Sequence, residues 1–159
     1  MRRPPLTRNT LGAEGGLLLF IEGEAASALA AVATALLARG PVDAVALVYP
    51  GDEIPRFPAP FSPASSPEDF EQVSSWEEGE LAAPSARIPA STSLFVALAA
   101  LPVGAFEATW DFILVRPGEL EWMAAAIPHE GMVLVRDDTL LKDLAAAGVQ
   151  AQSEPPEWW

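Results

Sequence analysis

Four short apolar runs constrain this chain more than anything else in it: LLLFI at 17–21, AVALVY at 44–49, DFILV at 111–115 and MVLV at 132–135. None alternates apolar with polar residues, so each reads as a strand buried on both faces. None is a bilayer span either. The longest apolar stretches, near 25–38 and 94–106, fall short of the roughly 20 residues that a membrane helix needs. Glu14, Glu22 and Glu24 interrupt the region where a signal peptide would keep an uncharged core, so none is expected despite Arg2 and Arg3.

Strands buried on both faces need cover on both sides, and the intervening sequence offers helical periodicity. Leu29, Val32, Leu36 and Leu37 repeat at helical spacing until Gly40-Pro41 stops them. Ser91-Thr92-Ser93 supplies N-cap residues for a helix through Leu94, Leu98 and Leu101, closed by Pro102. Glu119–Ile127 reads as a third helix, with Leu120, Met123, Ala124 and Ile127 on one face. A last helix carries Leu140, Leu141 and Leu144 with Gly148 at the C′ position, and Val149–Gln152 suits an edge strand. Alternation of this kind predicts an α/β fold, a three-layer arrangement around a mainly parallel open sheet of about five strands.

The domain spans 17–152, between a mobile arm at 1–16 containing Arg2, Arg3 and Arg8 and a tail, SEPPEWW, at 153–159. Its regularity breaks at 54–90. Seven prolines fall between Asp52 and Pro89, with eight acids against Arg56 and Arg87, and a loop of that length inside a compact domain is functional or disordered. Phe57, Phe61, Phe70 and Trp76 are interleaved with the acids, so the insertion is expected to be ordered in patches, without regular sheet.

Charge and composition narrow the partners. Nine Lys and Arg against 22 Asp and Glu give a net charge of −13, which opposes binding to a phosphate backbone or an anionic membrane. The absence of cysteine excludes disulfides, thiolate metal sites and a Cys nucleophile, and fits the cytoplasm. His129, the one imidazole, sits in the turn-like Pro128-His129-Glu130-Gly131, with no GxSxG nucleophile beside it. No GxGxxG or GK[ST] follows the first strand, so neither a dinucleotide cradle nor a P-loop is present.

In an open parallel sheet, ligands bind beyond the carboxyl ends of the strands. Those ends hold Glu22 and Glu24, Asp52 and Glu53, Arg116, then Arg136, Asp137 and Asp138. Crowded carboxylates suit Mg²⁺ or Mn²⁺, although Glu24 and Asp138 also fit as helix N-caps. LLLFIEGEAASAL, a strand ending in Glu-Gly at a helix start, resembles the first motif of Toprim domains. Those are Mg²⁺-dependent catalytic domains of topoisomerases, primases and some nucleases. MVLVRDDTLLKDLAAAGV resembles their second motif, with adjacent acids where the family has Asp-x-Asp. The resemblance covers about 40 residues and implies a Toprim-like phosphotransfer or nuclease-type domain. In it, Glu22, Asp137 and Asp138 would hold the metal and Arg116 or Arg136 would stabilise charge. WDFILVRPGELEWMAAAIPHEGMVLV looks like the late strands of Rossmann-type methyltransferases, whose glycine-rich cofactor motif is missing here. The sheet is therefore expected to be Rossmann-like or Toprim-like.

The aromatic residues point elsewhere. Trp158-Trp159 ends an acidic, proline-stiffened tether, and Trp is a favoured hot-spot residue at interfaces. With no complete catalytic motif, the leading expectation is a non-catalytic interaction or accessory protein. Phe70, Trp76, Trp158 and Trp159 would meet a protein partner or a second copy; the alternatives are the metal-dependent enzyme and a repurposed methyltransferase relic.

Overall fold

The computed structural model describes residues 18–23, 25–47, 71–74, 80–83, 88–91, 111–119, 122–154 and 156–158. The basic arm, the expected helix after Ser91, Glu24, Asp52, Glu53, Phe70, Trp76 and Trp159 lie outside them.

The apolar runs do form strands: β1 (Leu19–Glu22), β2 (Asp43–Leu47), β6 (Asp111–Val115) and β8 (Met132–Val135). The described residues add β3 (Glu71–Ser74), β4 (Glu80–Ala83), β5 (Ile88–Pro89) and β7 (Trp122–Ile127). Among the described residues two α-helices accompany them, α1 (Ala25–Leu37) and α2 (Leu141–Ala146). Six strands form one sheet in the order β1-β8-β7-β6-β2-β5, and β3 and β4 pair as a separate hairpin. Every one of these pairings is antiparallel.

The expected mainly parallel sheet, Rossmann-like or Toprim-like, is therefore corrected. Two features overturn it: β1 and β2 run antiparallel to their neighbours β8 and β6, and an expected helix is a strand. WMAAAI within 119–127 is strand β7, where a helix was expected, so β6, β7 and β8 run as an antiparallel meander. Arg116–Glu119 begins that meander as a type II turn, with Pro117 second, Gly118 at φ +78° third, and a 3.0 Å bond from the Glu119 N–H to the Arg116 carbonyl. The insertion at 54–90 needs a correction too, since the β3–β4 hairpin and β5 are regular sheet within it.

Both faces of the main sheet are buried. On one, Ala28, Leu29, Val32, Ala33 and Leu36 of α1 pack with Leu140 and Leu144 over Leu19, Ile21, Phe112, Leu114, Val133 and Val135. On the other lie Phe20, Val45, Ile113, Trp122, Ile127, Met132 and Leu134, none more than 2% exposed. The central strand β7 contributes Ala124, Ala125 and Ala126 between larger neighbours, so Leu134 and Ile113 meet across Ala125 without crowding. The register shifts between Leu114 and Val115, leaving Met123 as an extra residue. That bulge turns Trp122 onto the same face as Ala125, where strict alternation would send it to the other.

Gly148 takes the expected C′ position of α2 at φ +79°. The Gly148 N–H bonds Ala145 O at 3.0 Å and the Val149 N–H bonds Leu144 O at 2.9 Å, which is a Schellman closure. Among the described residues no helix is long and apolar enough to cross a membrane.

Candidate functional site

Antiparallel pairing redistributes the expected site residues. β1, β2 and β7 run one way and β5, β6 and β8 the other, so the strand ends no longer share an edge. Glu22 pairs with Met132 at the start of β8, whereas Asp137 follows its end. Five residue steps, most of them along β8, take the chain from Met132 to Asp137, about 16 Å when extended. Glu22 is thus not brought to Asp137, and no cluster of three potential metal ligands occurs among the described residues. The Toprim-like arrangement required parallel strands whose carboxyl ends meet, and that requirement fails here.

Asp137 works as a cap. Its Oδ1 accepts the Thr139 N–H at 2.9 Å and the Thr139 hydroxyl, and its Oδ2 accepts Arg39 Nη1 at 3.2 Å. Arg39 also donates to Thr139 O and to Asp143 Oδ2, so the end of α1 is tied to the start of α2. The sequence offered Asp138 for capping; the adjacent Asp137 takes the role. Arg116 donates to Pro41 O at 2.9 Å, and Arg136 lies over the Trp122 ring, 5.2 Å from its centroid. These two arginines are brought together: both line one pocket with Asp137.

The more accessible feature lies along β1, an edge strand of the sheet. Among the described residues its outer side is met by one bridge, in which Phe20 and Gln152 exchange backbone hydrogen bonds of 2.8 and 3.0 Å. Val149–Gln152 thus approaches the edge as expected, though as a single bridge. Beside it runs a groove of about 620 Å³ lined by Phe20, Glu22, Leu141, Ala145, Gly148 and Gln152. Glu22 is the one charged residue in that lining. Its Oε1 accepts the Trp158 indole N–H at 2.8 Å. Trp158 nevertheless stays 55% exposed and Leu141 44%, and these are the two exposed large apolar side chains among the described residues.

Leu141 was legible only as part of a core-facing helix. Its signal is the spacing itself: Leu140 and Leu144, four apart, share the buried face, and Leu141 lies about 100° round the helix from Leu140. Nothing among protein-family models, curated proteins or solved structures matches this chain.

Proposed function

We propose that this chain is a non-catalytic interaction module that seats an extended, basic and apolar segment of a partner protein along the outer edge of β1. The observation that carries the reading is the convergence of Leu141 and Glu22, with Trp158 held on Glu22, at one groove beside an edge strand whose outer side meets a single bridge among the described residues. An extended segment adds hydrogen bonds to such an edge, and pockets beside it choose side chains. Charge selects the partner: Glu22 lines the groove, Glu154 and Glu157 are exposed on the tail, and the chain as a whole carries −13. The same charge disfavours a nucleic-acid partner. The lack of cysteine leads us to place the protein in the cytoplasm.

The test is an NMR titration of the full chain with a synthetic peptide of alternating Lys and Val. Amide shifts are expected at Phe20, Glu22, Leu141 and Gln152, with binding weakened about tenfold in Glu22→Lys and in Leu141→Glu. Shifts absent at millimolar peptide, or indifferent to both substitutions, would remove the reading. Concentration-dependent dimerisation that the same substitutions abolish would make a second copy the occupant.

A further inference from the structure

At the opposite end of the sheet the geometry points to a site for a small oxyanion, a carboxylate or a phosphate, held by Arg116 and Arg136. β6 and β8 run in the same direction, so the residues that follow them emerge together where β7 begins. There a pocket of about 240 Å³ is lined by Leu36, Arg116, Glu119, Trp122, Arg136 and Asp137. Both guanidiniums belong to half-buried residues that the fold holds in place. Arg116 is tied to Pro41 O on the turn that ends α1. Arg136 has its backbone N–H on Met123 O at 2.8 Å and its guanidinium over the buried Trp122 ring.

Arg136 is the less satisfied of the two. A guanidinium carries five N–H donors in a rigid fork. Among the described residues this one makes a single, long hydrogen bond, 3.4 Å from Nη1 to Trp122 O. Among the described residues no hydrogen bond joins it to Asp137, whose oxygens accept from Thr139 and Arg39. In a chain of net charge −13, a half-buried cation with donors to spare, facing a pocket shared with a second guanidinium, suits an oxyanion. Two guanidiniums match the paired oxygens of a carboxylate or phosphate, while Trp122 and Leu36 would cover an apolar remainder.

The experiment is an NMR titration of the full chain, following the Trp122 indole N–H and the Arg136 Nε–H. Sodium phosphate and sodium acetate are the two probes, with sodium chloride at matched ionic strength as reference. The expected result is a saturable shift with one or both oxyanions that chloride does not reproduce, and the stronger response names the ligand chemistry. Arg136→Gln should weaken binding about tenfold or more. Arg136→Lys, which keeps the charge but loses the fork, should fall in between and secures the test if the Gln variant does not fold. Shifts that never saturate, that chloride matches, or that the Lys variant leaves unaltered would overturn the site.

Discussion

At the scale of single residues, stability rests on a few side chains that join distant parts of the chain. Asp137 caps the turn before α2 and pairs with Arg39, so Asp137→Ala loses both contacts. The pair is more than a third exposed, which leaves most of the effect to the cap, and a loss of about 1–2 kcal/mol is expected in urea unfolding. Lys142→Ala, exposed two residues from Leu140, should stay within about 0.5 kcal/mol and serves as the reference. Gly131 is a different case. It closes the turn between β7 and β8 at φ +61°, and an added Cβ would lie 3.3 Å from the Gly23 carbonyl oxygen. Gly131→Ala combines left-handed strain with that close approach and is expected to cost about 1–2 kcal/mol in the same assay. The Arg39 network was invisible in the sequence because its members lie 98 to 104 residues apart and no spacing rule connects them.

At the scale of elements, β7 decides the fold. Its WMAAAI places alanine on both faces, and α1 packs across β7 and β8. Ala126→Leu would force a larger side chain beneath the helix layer and should destabilise by about 1–3 kcal/mol, read from the urea midpoint, with β-sheet circular dichroism retained. The same composition explains why the segment reads as a helix. Met and Ala are good helix formers, and Leu120, Met123, Ala124 and Ile127 fall at helical spacing. Alanine also has no branched Cβ to announce a strand, and the bulge at Met123 breaks the alternation that would have betrayed one. The strands β1, β2, β6 and β8 were legible because each contains an unbroken run of apolar residues, and α1 because its buried positions repeat every three to four residues. Strand direction was not legible, since β1 and β2 find antiparallel neighbours, β8 and β6, that lie far along the chain, and β7 between β6 and β8 read as a helix. The candidate site shared that fate: Glu22 was singled out beside Asp137 and Asp138, whereas in the structure it accepts from Trp158 and lines a groove with Leu141.

At the scale of the whole molecule, the described charged residues around the two pockets fall at opposite ends of the sheet. Glu22 lies at one end, while Arg39, Arg116 and Arg136 gather with Glu119 and Asp137 at the other. A basic partner drawn to the β1 groove should therefore bind with a strong salt dependence. Stopped-flow association with the Lys-Val peptide is expected to slow severalfold between 0.05 and 0.3 M salt, in the range typical of surface charge steering, with dissociation changing less. The sheet has another large-scale property, since Leu19 of β1 pairs with Val135 of β8 across 116 residues of chain. A ribosome adding roughly 5–20 residues per second makes β1 some 6–23 s before its partner strand exists. During that interval Leu19, Phe20 and Ile21 have no β8 to pair with, so the nascent chain carries an unmatched apolar strand until β8 emerges. Sheltering that strand during synthesis falls to whatever waits at the exit tunnel, and expression yield should respond to translation speed.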